Sequence, residues 1–419
     1  MSTLIKSATI IDTSSLFHNQ QKDILITNGV IQKIENNIEE SEKDTVVDLE
    51  NLHVSCGWFD TSVSFGEPGF EERETLYNGL TTAAKSGFTA IALNSNTLPV
   101  IDNKSSVEFL KSKAKGFATS LHPIASLTQQ SKGIELAELY DMEQAGAIAF
   151  GDYNKPITND NMMKIALLYA QNFDGLVLSF PKNIAIAGEG LAHEGFNSTK
   201  LGLKGIPSLS ENLQIARDLF LLEYTGGKLH IPTISTAKSV ALIKEAKKKG
   251  LQVTCRVSAH HLTLTDEELH EFNGNVKVTP PLRTIKDCKA LQKGVETGVI
   301  DIITSDHNPI DIELKKVEFS SAEDGTIGLE SLFGAINNVI STEKSIQALT
   351  TTPRKIFNLA PTSIAVGKKA DLSFFNPSYK YTFSTKHIHS TSKNAIFLEK
   401  NLTGIAYGIY ANKQLVLNK

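Results

Sequence analysis

The 419-residue chain is poor in cysteine, tryptophan and methionine, with three, one and four of each. Cys56, Cys255 and Cys288 stand far apart and form no Cys-x-x-Cys pair. That spacing excludes a cysteine-rich zinc module and a disulfide scaffold, and it fits a reducing compartment. No apolar run reaches the roughly 18 residues that a membrane span requires. The opening Met1-Ser2-Thr3-Leu4-Ile5-Lys6 lacks the apolar core of a secretory leader. A cytoplasmic protein with no membrane partner is expected. Neither sign of charge dominates: 42 Lys and Arg stand against 46 Asp and Glu, a net charge of −4. No nucleic-acid partner is implied, and the basic stretch Lys244–Lys249 reads as the solvated face of a helix.

Several catalytic signatures are missing as well. The chain has no Gly-rich phosphate loop and no Gly-x-Ser-x-Gly elbow. Neither His-Glu-x-x-His nor His-x-x-x-His occurs. The one His-x-His, at His387 and His389, falls in a Ser/Thr-rich stretch close to the end of the chain and reads as solvated.

What is present is an ordinary globular composition, 41% hydrophobic and 21% charged. Residues 2 to about 52 hold short β runs at Leu4–Ile11, Asp23–Thr27, Val30–Ile34 and Thr45–Leu49, with an Asn28-Gly29 hairpin signal between the second and third. A second β-rich segment, clearest at Asp371–Asn376 and Gly404–Val416, closes the chain. The two can share one small sheet. Between them strand runs alternate with helical periodicity. Strands are read at Phe88–Asn94, Ala147–Phe150, Gly175–Phe180, Lys228–Ile234, Gln252–Ser258 and Val299–Ser305. Helices are read at Glu72–Ser86, Gly133–Ala145, Ser210–Glu223, Ala237–Lys249 and Lys286–Thr297. Such repetition defines an α/β chain, either a (β/α)8 barrel or a doubly wound sheet.

In a barrel, strand C-termini carry the chemistry. The organising stretch is Gly57-Trp58-Phe59-Asp60-Thr61-Ser62-Val63-Ser64-Phe65-Gly66, in which alternation places Asp60, Ser62 and Ser64 on one face. Later strand ends offer Asn94, Asn96 and Thr97, then Asp152, Ser179, His230 and Thr233, His260-His261, and Asp306-His307. Asp152 and Asp306 are the well-placed carboxylates. His260 and His261 are adjacent, and neighbouring residues on a strand point to opposite faces, so the two cannot both enter one site. Asp60 and His307 read as hydrogen-bonded core groups.

A dozen short motifs in order carry a family likeness. They include Glu67-Pro68-Gly69, Asn96-Thr97, Ala145-Gly146-Ala147 leading to Asp152, His193-Glu194-Gly195 and Leu201 to Pro207. They continue with Ser235-Thr236, His260-His261-Leu262, Pro280-Pro281-Leu282-Arg283, Asp306-His307, Gly328-Leu329-Glu330 and Ala370-Asp371-Leu372. In these the chain resembles dihydroorotases of the amidohydrolase superfamily, the long, hydantoinase-related type. The resemblance implies an amidohydrolase-type (β/α)8 barrel over 53–361 and a small β-sandwich domain from 1–52 and 362–419. It also implies zinc-dependent interconversion of carbamoyl-aspartate and dihydroorotate in pyrimidine biosynthesis.

Carried over residue by residue, the family's first-strand zinc-binding histidines fall on Ser62 and Ser64, and its other two on Ser179 and Thr233. Its metal-bridging Asp matches Asp152, and its catalytic Asp matches Asp306. Of its substrate contacts, Asn96 is kept. The carboxylate-binding Arg falls on Gly66, and two further contacts fall on Thr279 and Ile310. Hydroxyls are poor zinc ligands, and two carboxylates leave a zinc shell half empty. No bound cofactor is expected where the active family uses zinc, and catalysis is expected to be lost. The resemblance implies a non-catalytic, homodimeric partner of aspartate carbamoyltransferase. The alternative is an active dihydroorotase or related cyclic amide hydrolase built on Asp152, Asp306, His230 and His261. A third reading is a binding module that uses the vacated mouth.

Overall fold

The computed structural model describes residues 2–418, with every side chain in that span except those of His270 and Glu271. Eight parallel strands neighbour one another in chain order: Trp58–Val63, Phe88–Leu93, Ser120–Ala125, Ala149–Phe150, Leu176–Leu178, Lys228–Ile231, Val253–Ser258 and Ile302–Thr304. The first and last meet where the Ser64 amide donates to the His307 carbonyl at 2.7 Å and Val63 bridges His307, nearly closing a barrel. The period-2 alternation of strands explains the layering. Phe59, Ala90, Ala92, Ile124, Leu178 and Ile302 form one apolar cluster inside, plugged by Phe357. Their neighbours Trp58, Ile91, Leu93, Leu121, Val177 and Ile303 belong to the larger core under the helices.

Helix ends follow local chemistry. Thr75, Asn103, Asn159, Thr236 and Thr284 each cap the following helix by accepting a backbone N–H. The third strand, Ser120–Ala125, is absent from the strand series read from sequence. Pro123 in its middle and the polar Ser120 and His122 mask it.

The two termini build a separate eight-stranded sheet. Its order runs Gln414–Leu417, Asn401–Ala411, Leu372–Thr382, His53–Cys56, Ser2–Ile11, Gln21–Thr27 and Val30–Glu35, with Asp44–Val47 also paired to Ser2–Ile11. Asn28 and Gly29 both have positive φ, 52° and 83°, as a two-residue hairpin turn requires. His53–Cys56 pairs with Ser2–Ile11 and Leu372–Thr382, so the chain passes from sheet to barrel at Gly57. Cys56, Cys255 and Cys288 are all buried free thiols. Among the described residues, no helix is long and apolar enough to cross a membrane.

Trp58 joins the two units. Its indole N–H donates to Ser55 Oγ at 2.9 Å, and its ring meets those of Phe88, Phe333 and Phe375 at 5.8, 5.0 and 5.5 Å. Arg354 reinforces the seam with an ion pair to Asp371 at 3.0 Å. Trp58→Ala removes the shared anchor and is expected to cost about 3–5 kcal/mol. Urea unfolding followed by circular dichroism measures it, and sheet and barrel signals should fall together.

Candidate functional site

The barrel rim is a polar network anchored on the first strand. Ser62 Oγ donates to Asp306 Oδ1 at 2.9 Å, and Ser64 Oγ donates to Asn96 Oδ1 at 3.0 Å. Asn94 Nδ2 reaches both hydroxyls, at 3.3 and 3.2 Å. A register shift between Asp60 and Val63 interrupts the simple alternation expected here, and hydrogen bonding rather than strand periodicity brings the serines together. Asp60 is a clamp: it accepts the Ser62 and Ser305 amides at 3.0 and 2.9 Å and the Thr304 hydroxyl.

Arg256, on the seventh strand, occupies the interior beside these groups and is 2% exposed. One guanidinium nitrogen donates to the Thr61 carbonyl, and its Nε has no hydrogen-bond partner. Its charge faces Asp306, Asp60 and Tyr153. Burial pushes the Asp306 carboxyl up to about 6, while Arg256 and the Ser62 hydroxyl pull it back down. The Tyr153 phenol is raised by burial and by Asp306, and lies against Ser64. Arg256 is thus a fixed cation close enough to lower the Asp306 carboxyl, while among the described residues it makes no ion pair within 4 Å. Sequence reading missed it, although Arg256 is the one basic residue in the apolar run Gln252–Ser258.

The remaining positions are engaged elsewhere. Asp152 accepts the Leu127 and Thr128 amides at 2.8 and 3.0 Å, the Ser126 hydroxyl at 3.1 Å and the Thr128 hydroxyl. Ser179 Oγ donates to Asp218 at 2.7 Å, on the Ser208–Thr225 helix. Thr233 is buried with a positive φ of 51°. Thr279 keeps a buried hydroxyl without a partner, and Ile310 is packed at 2% exposure. Gly66 is required by its surroundings: a Cβ there would stand 1.6 Å from the Phe70 carbonyl oxygen. No longer side chain fits without rebuilding that turn.

The histidines do not converge either. His230 Nδ1 bonds Thr254 Oγ1 at 2.8 Å, and its ring meets Phe357 edge-on at the barrel's apolar plug. His260 and His261 lie on a short helix, Ala259–Thr263, not on a strand, and their ring centroids are 4.6 Å apart. The expectation of opposed strand faces is corrected accordingly. Ser258 ends the strand and caps the helix, its hydroxyl accepting the His261 amide at 3.3 Å. His261 uses both nitrogens, on Ser258 Oγ and the Pro280 carbonyl at 2.7 and 3.0 Å. His260 Nε2 has no partner, and burial holds that ring neutral. His307 Nδ1 accepts the Gly328 amide at 3.1 Å as a core group. Asp152, Asp306, His230 and His261 thus form no joint site. His387 and His389, expected solvated, are half-buried; His387 packs on Tyr381 and Phe383.

The void bounded by Tyr153, His260, Thr279 and Asp306 measures about 10 Å³, room for a single water. A binding module at the vacated mouth has no space there. A larger cavity of about 590 Å³ lies beyond the rim, between Asn275, Ile310, Lys316 and Ser392.

Zinc needs three or four nitrogen, oxygen or sulfur donors converging at 2.0–2.3 Å. Among the described residues, no group of three or more His, Cys, Asp or Glu is placed to hold a metal. Asp152 is saturated by amides and hydroxyls, Asp306 faces Arg256, and the four hydroxyl positions are bonded or packed elsewhere. The residues present do not fit a zinc centre.

A nearly closed eight-stranded parallel barrel with a separate sheet from both termini is the α/β architecture of this chain, and hydantoinases share it. L-Hydantoinase from Arthrobacter aurescens superposes with a TM-score of 0.86 over 100% of this chain and 96% of its own, at 20% identity. The dihydro-orotase-like family model matches residues 53–239. Proteins named dihydroorotase are similar end to end. That of Pelotomaculum thermopropionicum is 36% identical, covering 100% of this chain and 99% of the relative. That of Caldicellulosiruptor saccharolyticus is 39% identical, covering 99% and 98%. The chain belongs to the dihydroorotase family.

Two predictions follow from the rim. A carboxyl raised from 3.8 to about 6 binds its proton more tightly when folded, so it contributes stability fully below about pH 4 that is lost as pH rises through about 6. Removing Arg256 raises Asp306 further. The loss in Arg256→Met should therefore extend above pH 6, on top of a general destabilisation of about 3–5 kcal/mol. Melting temperature from pH 4 to 8 tests this, and a profile parallel to the wild type would contradict it. Gly66→Ala should cost more than 2 kcal/mol in the same assay, because the clash is with backbone.

Proposed function

We propose that this dihydroorotase-family protein belongs to pyrimidine biosynthesis but does not catalyse the interconversion of carbamoyl-aspartate and dihydroorotate. Its role is that of a cytoplasmic structural partner of aspartate carbamoyltransferase. The observation that carries the loss of catalysis is the Arg256–Asp306–Asp60 cluster, a guanidinium among carboxylates and hydroxyls that form no metal shell. Water not bound to a metal keeps a pKa near 15.7, which leaves no hydroxide nucleophile at neutral pH. Asp306, as a general base, would have no activated water to serve. Gly66 supplies no bidentate grip for a substrate carboxylate, a loss that acts on binding rather than chemistry. The transferase assignment rests on the family resemblance, in which inactive members take that place.

The second reading is a working dihydroorotase or cyclic amide hydrolase, favoured by full-length relatives that carry the name dihydroorotase. It would need a site unlike the one built here.

Purified protein assayed in both directions with added zinc should show no turnover above the uncatalysed rate. Zinc-dependent turnover abolished by Asp306→Ala would establish the second reading. The transferase should copurify with this chain in a fixed ratio. If the transferase assembles and works normally without it, the partner role fails.

A further inference from the structure

After the last barrel strand the chain makes an excursion, residues 311–323, whose neck is closed where the Asn308 amide donates to the Thr326 carbonyl at 2.8 Å. Apart from Lys315, only Phe319 and Ala322 of this excursion are buried. Two lysines hold it down. Lys315 is 5% exposed, and its Nζ donates to the Lys277 and Glu323 carbonyls at 3.0 and 2.7 Å. Lys277, on the barrel side, is 6% exposed and reaches back, its Nζ donating to the Ser320 and Ala322 carbonyls at 3.1 and 2.6 Å.

Among the described residues, every hydrogen bond from 311–323 to the rest of the chain is made by one of these two side chains. The other polar tie is an ion pair at the surface, Arg73–Glu323 at 3.3 Å, of a kind worth little. The acceptors of both lysines are backbone carbonyls, so neither buried charge is balanced by a carboxylate. Such a charge is costly to bury. This clamp also sits on a partition. Asn273, Asn275, Asp311 and Lys316 line the outer cavity of about 590 Å³. Thr279 and Asp324, further along the same two segments, line the rim void of about 10 Å³ beside Asp306.

We propose that residues 311–323 are a releasable flap, clamped shut by Lys277 and Lys315, whose opening joins the rim void to the outer cavity. The closed flap leaves the rim room for one water, and the open flap admits a small polar solute to Asp306 and Thr279. The inference concerns access, so it is independent of whether the protein is catalytic.

The clamp responds to pH. The charged groups facing Lys315 are Lys277, Glu323 and Asp324, and Asp324 also faces Lys277. Burial outweighs the acids, pushing the Lys315 ammonium down to about 7 and lowering Lys277 too. A neutral amine has two N–H donors, and each Nζ meets two carbonyls. Released into water, Lys315 regains its ordinary value of 10.5, so opening takes up a proton between about pH 7 and that value. The closed flap is therefore favoured at high pH, and opening increases as pH falls to about 7 and then levels off.

Hydrogen exchange of the full chain, expressed as protection factors at pH 7 and pH 9, tests the proposal. Amides of 311–323 should be at least about tenfold less protected at pH 7, while those of Ser208–Thr225 change by less than about threefold. Lys315→Met fills the same space without titrating and should bring the flap's ratio below about threefold. Gly274→Ala places a Cβ 2.6 Å from the Lys315 carbonyl oxygen, so it should lower flap protection at both pH values and keep the wild-type ratio. Thr279→Cys reports access to the rim: its alkylation rate by iodoacetamide, corrected for the thiolate fraction, should rise from pH 9 to pH 7 with flap opening. Equal flap protection at the two pH values in the wild type overturns the proposal. So does a Lys315→Met protein that keeps the full pH dependence, or a Thr279→Cys thiol whose corrected rate ignores pH.

Discussion

One guanidinium inside a low-dielectric barrel governs this rim. A buried carboxylate without a counter-charge is unstable and takes up a proton. The barrel mouth brings Asp60 and Asp306 into one buried surrounding, and Arg256 is the fixed cation whose charge faces both. A guanidinium and a metal differ in kind. A metal polarises the water it binds, whereas a guanidinium donates hydrogen bonds in fixed directions and activates nothing. The neighbouring hydroxyls of Ser62 and Ser64 complete a closed hydrogen-bond network through Asn94 and Asn96. The result is a rim whose carboxylates are hydrogen-bonded, around a void of about 10 Å³, while Arg256 Nε and the Thr279 hydroxyl keep no partner.

The same logic extends over the mouth. The segment linking the last two long strands of the terminal sheet runs beside the rim. Glu330 accepts the Ser390 amide at 2.9 Å, and Glu74 accepts the Thr391 amide at 3.0 Å. Asn394 donates to the Asn308 and Gly325 carbonyls at 3.1 and 3.2 Å. These bonds tie the terminal sheet to the barrel's top, as Trp58 and the Arg354–Asp371 pair tie it to the barrel elsewhere. The sheet therefore acts as a brace as well as a second core.

Much of this architecture was legible in the residues. Alternating strand and helix periodicity defined the α/β class, and Asn28-Gly29 located a hairpin, because each signal is local. Ser120–Ala125 was illegible because Pro123 violates strand propensity, and only the neighbouring strands' hydrogen bonds override it. The site was half legible. The family resemblance pointed to Ser62, Ser64, Ser179 and Thr233 at the expected imidazole positions and to Asp152 and Asp306 at the expected aspartate positions. Their separation could not be read: Asp152 turns to the Leu127–Thr128 amides through loop geometry that no spacing encodes. Arg256 was the one available signal left unread, a charge where its strand is otherwise apolar. The helical turn at His260-His261 was lost for the opposite reason, since Ser258 works equally well as a strand end or a cap.

The central claim is that a fixed arginine, not a metal, balances the barrel's carboxylates. It is tested most directly by elemental analysis of protein purified without chelator from zinc-replete cells. This account predicts zinc far below one ion per chain, unchanged by added zinc and gel filtration. One or more zinc ions per chain, retained through gel filtration and lost in Asp306→Ala, would contradict it.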